Sequence, residues 1–437
     1  MIEVGMIGYG TVGQGVASLL IKQARAYGLR VGAEIKISKV LVRDRAKAQK
    51  VGFLGADLFT DDAETFFNTP MQIVVEVAGG RGAVEGHVRR ALEAGKHVVT
   101  ANKAMLAEVG AELFTLAREH GCSVAFEASC GGGIPIVTSL KFGMMANRID
   151  GIYGILNGTC NYMLTEMSEK GKTYFAALKE AQEAGFAEAD PFMDVSGLDA
   201  AQKLAILASL AFNVKVVASD VWHEGIDQIQ RDDIRFGQEL GYELKLLAIA
   251  ERNIEDLSQL SLRVHPCFLK KNQMMTQVRG SFNAVSVYGH AVGHVMLYGR
   301  GAGMFPTASA VVGDLLNVAG GWYSKAFNET KLVYDQNPLV KVLPAEDLVS
   351  RHYIRFNAKD VPGVVGKIST ILGEAGLTIN ALRQHEKSPN AFVPLVFITG
   401  PVRRGALERA FGYMKDSGVI DRDPVAIRLA DMPGESI

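Results

Sequence analysis

The segment VGMIGYGTVGQGVASLL, residues 4–20, combines an apolar strand pattern, a glycine turn and the start of a helix. Gly8 permits a tight turn, Gly10 lets the backbone approach a pyrophosphate, and Gly13 lets the helix pack closely on the strand. The backbone N–H groups at the helix start, at Thr11 and Val12, then face the anion. An ordinary strand-to-helix turn is the alternative, because chance matches to this spacing are easy in a chain with 47 glycines. The position after a strand and before a helix favours nucleotide binding.

Length and charge limit the class of protein. The chain has 437 residues and a formal net charge of −1, which predicts roughly two to four domains and no basic field that would attract nucleic acid or a membrane. No window approaches the roughly 18 apolar residues of a membrane span, and the N-terminus lacks a signal-peptide pattern. The four cysteines form no C-x-x-C pair, which predicts free thiols in a reducing compartment. We expect a cytoplasmic protein with a small-molecule substrate and neither nucleic-acid nor membrane partners.

The first third of the chain alternates strand and helix patterns. Further strands are predicted at 35–42, 73–77, 97–100 and 123–127, and helices at 83–94 and 104–120 end at the glycines that follow them. This alternation predicts an α/β fold, a Rossmann-type doubly wound parallel sheet over residues 1–134. A helix at 306–317 is expected to pack back on this domain, so that residues of about 305–335 complete it.

The rest of the chain divides into two further predicted domains. Residues 135–304 predict a mixed α+β domain for substrate binding, catalysis and oligomerisation. A linker is predicted at 337–350, where two prolines occur. Residues 351–430 show the strand and helix order βαββαβ, which is typical of a ferredoxin-like module.

Arg43 follows the second predicted strand, where this fold contacts the adenosine ribose. An arginine there accommodates a 2′-phosphate and favours NADP, and Arg45 adds charge nearby. Asp44 could instead bind a ribose hydroxyl, as in NAD enzymes, and a solvated charge cluster is the alternative without function.

Lys103 follows the strand at 97–100, at the strand end where ligands bind. A positive charge at the first residue of a helix interacts unfavourably with the positive end of the helix dipole. Such a placement favours a functional lysine over an ordinary surface lysine. Asp199 and Lys203 share a helix face at i, i+4 spacing, next to the acidic segment 185–194. A helix cap with a surface ion pair is the alternative. The apolar helix that follows places the pair at a cleft, where an ammonium can protonate a forming alkoxide.

Residues 127–135, Glu-Ala-Ser-Cys-Gly-Gly-Gly-Ile-Pro, close the predicted nucleotide domain. Such a glycine-rich loop can turn several carbonyls inward beside the Glu127 carboxylate, an arrangement suited to a hard cation. Taken alone, the residues favour an interdomain hinge. A second glycine-rich segment at 299–303 allows close backbone approach or forms a simple turn.

At these residues the chain resembles homoserine dehydrogenase, the form with a C-terminal ACT regulatory domain. The matching pieces cover all three predicted domains in the family's order: residues 8–13, 100–103, 127–135, 157–159, 185–191, 299–303 and the Asp199/Lys203 pair. The family interconverts L-aspartate 4-semialdehyde and L-homoserine with NAD(P)H, on the branch toward threonine and methionine. Two positions depart from it: Arg300 replaces a frequent proline, and Ala78 replaces the usual residue before two glycines.

The resemblance implies a role for each matching residue. Lys203 would donate the proton, and Lys103 would line the crevice between cofactor and substrate. Glu188 and Asp199 would bind the substrate, and Gly185 and Gly303 would touch the nicotinamide end. A sodium ion would be held by Glu127, through its main chain, its side chain or both, and by the backbones of Cys130, Gly132 and Ile134.

The resemblance also implies regulation and assembly. The ACT-like module, with Asp360-Val361-Pro362-Gly363 and Asn380, would bind an amino-acid effector such as threonine. A homodimer or homotetramer is expected. Two alternatives remain at this point: a Rossmann dehydrogenase for a different amino-acid aldehyde, and a non-catalytic sensor of redox and amino-acid levels.

Overall fold

The computed structural model describes residues 1–253, 256–384 and 390–433. Its strands are β1 Ile2–Ile7, β2 Ile35–Leu41, β3 Phe59–Thr60, β4 Ile73–Glu76, β5 His97–Thr100, β6 Val124–Ala125, β7 Ile149–Ile155, β8 Trp222–His223, β9 Tyr242–Arg252, β10 Gln259–Lys270, β11 Phe282–Gly289, β12 Gly293–Arg300, β13 Lys341–Val342, β14 Val349–Lys359, β15 Ile379–Gln384, β16 Phe392–Thr399, β17 Val402–Arg403 and β18 Val425–Leu429. Its α-helices are α1 Thr11–Lys22, α2 Ala24–Val31, α3 Arg45–Gln49, α4 Ala63–Asn68, α5 Ala83–Glu93, α6 Lys103–Glu119, α7 Ile136–Thr138, α8 Gly158–Lys170, α9 Tyr174–Glu183, α10 Phe192–Val195, α11 Leu198–Phe212, α12 Arg231–Glu239, α13 Met304–Ala319, α14 Trp322–Glu329, α15 Val364–Glu374 and α16 Arg404–Asp416.

The chain forms two compact units. The first comprises residues 1–158, 199–221 and 282–340, and the second comprises residues 159–198, 222–281 and 341–437. The structure therefore groups α11 with the nucleotide sheet and the β9–β10 hairpin with the C-terminal module. The three-domain limits drawn from the sequence remain a prediction.

The first unit contains a six-stranded parallel sheet in the order β3-β2-β1-β4-β5-β6. This is the doubly wound order of a dinucleotide-binding domain, so the predicted fold class is confirmed. Its central strands are apolar on both faces because helices cover both sides, and Met6, Val40 and Val75 are fully buried.

The predicted helix at residues 306–317 is confirmed as α13, which packs on α1. A Cβ atom at Gly15 would lie 2.9 Å from the Cβ of Ala308 and from Met304 Cγ. Only glycine therefore allows the two helices to approach this closely. The Tyr323 hydroxyl of α14 donates to the Val124 carbonyl at 2.9 Å, which ties the following helix to β6.

The last strand of this sheet is shorter than predicted. The sequence predicts a strand over 123–127, but β6 ends at Ala125, and Glu127 begins a 3-10 turn. The Glu127 carboxylate accepts the backbone N–H groups of Val137 and Thr138 at 2.9 and 2.7 Å, which draws the chain out of the sheet. A second, antiparallel sheet of the first unit pairs β11 with both β7 and β12.

The second unit contains the predicted ferredoxin-like module. Its four strands lie in the order β18-β14-β16-β15, with every neighbouring pair antiparallel. Helices α15 and α16 supply apolar residues to its core, with Ile368, Leu372 and Met414 fully buried. The sequence order βαββαβ is confirmed. The predicted linker carries β13, which pairs with β10, and a 3-10 turn at Ala345–Asp347.

The long hairpin β9–β10 was not predicted from the sequence. Both strands are buried over most of their length, so the alternation of apolar and polar residues that marks a half-exposed strand is weak. Strand β10 also pairs in parallel with β18 and so extends the sheet of the C-terminal module within this unit.

Two simpler predictions concern the chain as a whole. All four cysteines are free and buried, as their spacing predicts. Within the described residues, no helix combines the length and apolarity that crossing a membrane requires.

Candidate active site

The carboxylate of Asp199 is the centre of a charge cluster in the first unit. Its Oδ2 atom accepts from Lys203 Nζ at 2.8 Å and from Asn157 Nδ2 at 2.9 Å. Its Oδ1 atom lies 3.2 Å from Lys103 Nζ. Lys103, which follows β5, therefore contacts the Asp199/Lys203 pair on α11. The functional interpretation of the sequence requires this contact. The alternative of a surface ion pair is wrong, because only 7% of Asp199 is exposed.

Lys203 is held by two contacts that leave one donor unused. Its ammonium donates to the Leu156 carbonyl at 2.7 Å as well as to Asp199. An ammonium has three N–H donors, so one N–H has no partner among the described residues. The Lys203 side chain is 12% exposed, whereas that of Lys103 is 35% exposed. Lys203 thus offers a single oriented donor from a largely buried side chain.

The protonation state of Asp199 follows from its neighbours. Burial works to raise its pKa, but the charges of Lys203 and Lys103 outweigh burial and bring the pKa to about 2. Asp199 is therefore ionised at neutral pH and serves as the counter-ion of two cations.

Two members of the cluster were not assigned roles from the sequence. Leu156 and Asn157 lie just past the end of β7, and they contact Lys203 and Asp199 respectively. Asn157 belongs to a segment that the sequence marked only by resemblance. A backbone carbonyl such as that of Leu156 carries no residue-type signal, so no sequence pattern could have identified it.

The glycine turn after β1 has the geometry of a phosphate cradle. Gly8 has φ +99°, and a Cβ at Gly13 would lie 2.6 Å from the Gly8 carbonyl oxygen. A Cβ at Gly10 would meet nothing within 4 Å, so the space beside Gly10 is open. Helix α1 begins at Thr11 with no side-chain cap, which leaves the N–H groups of its first turn, including that of Val12, available to an anion. The residues present fit a dinucleotide pyrophosphate.

The segment after β2 shows how Asp44 is bonded within the protein. Asp44 caps α3, and its Oδ1 atom accepts the Lys47 N–H at 2.9 Å. Arg43 and Arg45 are exposed beside it. One oxygen of the Asp44 carboxylate is thus bonded within the protein, and Asp44 is exposed together with the two arginines.

The glycine-rich loop after β6 is buried and closely packed. Glu127, Cys130 and Ile134 are buried, and a Cβ at Gly132 would lie 2.4 Å from the Gly301 carbonyl oxygen. The segment that ends at Gly303, with φ +117° at the start of α13, therefore lies against this loop. Both Glu127 carboxylate oxygens already accept backbone N–H groups, and the Ile134 carbonyl accepts the Ile136 N–H at 2.8 Å. The predicted cation ligands thus lie on one buried loop, where the Glu127 carboxylate and the Ile134 carbonyl are both hydrogen-bonded within the protein.

Glu188 and Gly185 lie in the second unit, on the turn that follows α9. Gly185 has φ +74°, and Glu188 is exposed. Gln182 Nε2 donates to the Glu188 carbonyl at 3.0 Å, and Thr159 Oγ1 donates to the Phe186 carbonyl at 2.7 Å. The turn is thus tied to two helices of its own unit.

The open dinucleotide cradle beside a buried carboxylate that holds two lysines is typical of an NAD(P)-dependent oxidoreductase, here with a C-terminal ferredoxin-like module. Comparison with known proteins agrees. The family model "Homoserine dehydrogenase" matches residues 135–316, "Homoserine dehydrogenase, NAD binding domain" matches residues 8–127, and "ACT domain" matches residues 352–412. The chain belongs to the homoserine dehydrogenase family.

Individual relatives match over nearly the whole chain. Homoserine dehydrogenase from Synechocystis sp. is 41% identical over 434 residues, which cover 98% of this chain and 99% of that protein. The enzyme from Pseudomonas aeruginosa is 39% identical over 437 residues, covering 99% of each. The crystal structure of a homoserine dehydrogenase from Thiobacillus denitrificans superposes with a TM-score of 0.91 at 37% identity, covering 99% of both chains.

These findings support the NAD(P)-dependent interconversion of L-aspartate 4-semialdehyde and L-homoserine. They do not support the two alternatives, a different aldehyde substrate or a non-catalytic sensor.

Proposed function

We propose that Lys203 is the proton donor in the reduction of L-aspartate 4-semialdehyde. One observation carries the assignment: two N–H groups of Lys203 are fixed by Asp199 and Leu156, so the third has a defined direction. Bound NAD(P)H supplies the hydride that the aldehyde carbon accepts. The Lys203 ammonium donates a proton to the aldehyde oxygen as negative charge develops there, and the hydroxyl of homoserine results. Lys203 is left as a neutral amine that water re-protonates.

Asp199 and Lys103 complete this arrangement. Asp199 compensates the charge of Lys203 and so keeps the ammonium in place, and we assign it a second role as a substrate ligand. Lys103 Nζ, 3.2 Å from Asp199 Oδ1, adds positive charge at the strand end where ligands bind in this fold. Orientation and electrostatic stabilisation by these groups add to the general acid catalysis.

Glu188 is proposed to bind the substrate ammonium group. Its side chain is exposed on a turn whose backbone is held by Gln182 and Thr159, so the carboxylate is available to a cation. The neighbouring Gly185 and, in the first unit, Gly303 are proposed to contact the nicotinamide end of the cofactor. Both have positive φ, which favours glycine and leaves room for a close ligand.

We propose a preference for NADP over NAD. Arg43 follows β2 as an exposed cation, and Asp44 is engaged in capping α3. A carboxylate that bonds its own helix is a poor partner for a ribose hydroxyl, whereas an exposed arginine suits a 2′-phosphate.

A monovalent cation, sodium by resemblance, remains a proposal for the loop after β6. The backbone carbonyls of Glu127, Cys130, Gly132 and Ile134 are its ligands in this proposal. No step of the mechanism passes through the ion.

The remaining proposals concern regulation and assembly. The ACT domain is proposed to bind an amino-acid effector, with threonine as the expected ligand. We propose a homodimer or homotetramer, and a cytoplasmic location that suits four free, buried thiols.

The proton-donor assignment is tested with Lys203→Met and a matched control. Lys170 forms an i, i+4 ion pair with Glu166 at 2.8 Å, the same spacing and distance as the Lys203–Asp199 pair, but outside the site. With NADPH and saturating L-aspartate 4-semialdehyde, we expect Lys203→Met to lower kcat by about 10²- to 10⁴-fold and Lys170→Met to leave kcat unchanged. Equal kcat in the two variants would refute the assignment.

A further inference from the structure

Glu76 is a buried carboxylate at the end of β4 that has no part in the proposals above. It is fully buried, and within the described part of the chain its side chain bonds residues at or just past the carboxyl ends of β4 and β5. Its Oε1 atom accepts the N–H groups of Ala78 and Gly79 at 2.9 and 2.8 Å. Its Oε2 atom accepts the Thr100 hydroxyl at 2.6 Å. One side chain therefore joins the loop after β4 to the loop after β5.

The bond to Thr100 leads directly to Lys103. Thr100 Oγ1 accepts the Asn102 N–H at 3.0 Å. The Asn102 side chain donates to the Gly80 carbonyl at 2.6 Å and accepts the Met105 N–H at 3.1 Å. Asn102 is thus the cap of α6, whose first residue is Lys103. The bonds of Glu76 and Thr100 fix the point from which the Lys103 side chain reaches Asp199.

The other two bonds lead to the cofactor cradle. A Cβ at Gly8 would lie 2.6 Å from the Ala78 nitrogen and 2.7 Å from its Cα, so the glycine turn packs directly against the turn that Glu76 holds. Glu76 therefore braces the loop that borders the phosphate cradle as well as the helix that carries Lys103.

The chemistry of Glu76 argues against a purely structural role. Burying a carboxylate costs free energy that an apolar side chain of similar size avoids, and burial raises the pKa of Glu76 despite its hydrogen bonds. A fully satisfied polar network of this kind rigidifies its surroundings. Rigid placement is useful where two loops must present groups to reacting molecules.

We propose that Glu76 is a positioning residue that acts through Thr100 and Asn102 to place Lys103, and through Ala78 and Gly79 to shape the wall of the cofactor cradle. This inference rests on the proposed role of Lys103 in the site. It assigns to one buried carboxylate the relative placement of the cofactor turn and an active-site lysine.

The test separates the hydrogen bond of Glu76 to Thr100 from its hydrogen bonds to Ala78 and Gly79. Thr100→Val is nearly isosteric, and it removes the link to Lys103 while leaving the bonds to Ala78 and Gly79. We expect kcat/KM for L-aspartate 4-semialdehyde to fall about 10- to 100-fold, with the Kd for NADPH, measured by fluorescence, within about two-fold of wild type. In a Lys103→Met background, Thr100→Val should cause no further loss.

The control is Thr165→Val in the second unit. The Thr165 hydroxyl also donates one bond, to the Asn161 carbonyl at 2.7 Å, and accepts another, from the Gly280 N–H at 3.1 Å. We expect a similar decrease in Tm and unchanged kinetics. A kinetic loss from Thr165→Val equal to that from Thr100→Val would point to general destabilisation and overturn the inference.

Substitution of Glu76 itself tests the shared role. Glu76→Gln keeps an oxygen for the Ala78 and Gly79 N–H groups and offers an N–H to Thr100, so we expect near-wild-type kinetics and NADPH binding. Glu76→Leu should weaken NADPH binding and lower kcat/KM together. If Glu76→Leu fails to fold, the comparison of Thr100→Val with its control still tests the inference.

Two results would overturn the inference. One is wild-type kinetics in Thr100→Val, and the other is an equally large loss from Thr100→Val when Lys103 is already replaced by Met. Wild-type kinetics in Lys103→Met alone would instead refute the role of Lys103, and the inference would fall with it.

Discussion

Lys103 and Asp199 belong to distant parts of the chain, and the Nζ atom of the first lies 3.2 Å from the Oδ1 atom of the second. Lys103 opens α6 after a strand of the nucleotide sheet, and Asp199 lies in the first turn of α11. Their contact places the charged pair of α11 at the carboxyl end of that sheet, where cofactors bind in this fold. The catalytic proposal depends on this arrangement.

Asp199→Asn should disable the site without unfolding the protein. The substitution keeps the shape of the side chain but leaves Lys103 and Lys203 close together without their counter-ion, so we expect kcat/KM to fall by about 10²-fold or more. Asp220→Asn is the control, because Asp220 accepts the Val217 N–H at 2.9 Å on an exposed turn of the same unit. Full activity in Asp199→Asn would contradict the role of Asp199.

The pH dependence of Asp199 provides a second check on that variant. Its pKa of about 2 lies below the range in which the enzyme is assayed, so Asp199 stays ionised from about pH 5 to pH 9. We therefore expect no acid limb from Asp199 in the wild-type pH–rate profile. An acid limb in this range that Asp199→Asn abolishes would show that burial raises the pKa of Asp199 and that the two lysines do not outweigh it.

Gly10→Ala should weaken cofactor binding, whereas Gly13→Ala should lower stability. A Cβ at Gly10 meets open space, whereas one at Gly13 would lie 2.6 Å from the Gly8 carbonyl oxygen. We expect Gly10→Ala to keep the wild-type Tm and to weaken NADPH binding about ten-fold or more, because the methyl group enters the proposed pyrophosphate site. Gly13→Ala should lower Tm, because strand and helix must separate. Calorimetry and fluorescence titration measure the two effects, and unchanged NADPH affinity in Gly10→Ala would contradict the cradle.

Arg43→Ala should change cofactor preference. Loss of a charge-assisted bond to the 2′-phosphate costs about 1.5–3 kcal/mol, so the Kd for NADPH should rise about 10- to 100-fold while that for NADH changes little. Arg30→Ala, in the last turn of α2, removes an exposed arginine elsewhere and should affect neither cofactor. Equal weakening for NADPH and NADH in Arg43→Ala would contradict the proposed 2′-phosphate contact.

Lys245 should make stability rise with pH in the alkaline range. This lysine of β9 is 1% exposed and donates to the Val278 carbonyl at 2.6 Å and to Asn161 Oδ1 at 3.2 Å. Burial, with the nearby charge of Arg279, lowers its pKa from 10.5 to about 8. Below about pH 8 the folded state therefore contains a buried ammonium, which lowers the free energy of unfolding. This destabilisation disappears as the pH rises from about 8 to 10.5, because the folded protein then contains the neutral amine.

Lys245→Met isolates this contribution. The shift corresponds to about 3 kcal/mol, so the free energy of unfolding of wild type relative to Lys245→Met should increase by an amount of that order between pH 8 and pH 10. Denaturant unfolding of both proteins at three pH values measures the difference. A constant difference across the range would contradict the lowered pKa.

The sequence predicted those features that depend on local pattern. The glycine turn at Gly8–Gly13 and the βαββαβ order of the C-terminal module are read from residue spacing alone, and both are confirmed. The β9–β10 hairpin was missed because burial on both faces removes the alternation that marks a strand. The end of β6 was misplaced because the Glu127 carboxylate bonds Val137 and Thr138, contacts that no local pattern encodes.

In the candidate active site too, the residues found from the sequence are those with a local pattern. Spacing on a helix singled out Asp199 and Lys203, and the strand-end position singled out Lys103; the structure brings the three together, and their roles are proposals. The structure added the Leu156 carbonyl and the Glu76 network, because a backbone acceptor and a buried carboxylate at a strand end acquire meaning only through tertiary contacts. Asp44 was ambiguous in the sequence and became informative once its bond to the Lys47 N–H was known.

The central claim is that Lys203 delivers the proton to the forming hydroxyl, and chemical rescue tests it most directly. Lys203→Ala, assayed with NADPH and saturating L-aspartate 4-semialdehyde, is titrated with small primary amines of graded pKa. We predict that turnover, lowered by the substitution, is partly restored in proportion to the concentration of protonated amine, and that the second-order rate constant depends on amine pKa as general acid catalysis requires. Wild-type turnover in Lys203→Ala without added amine would contradict the claim.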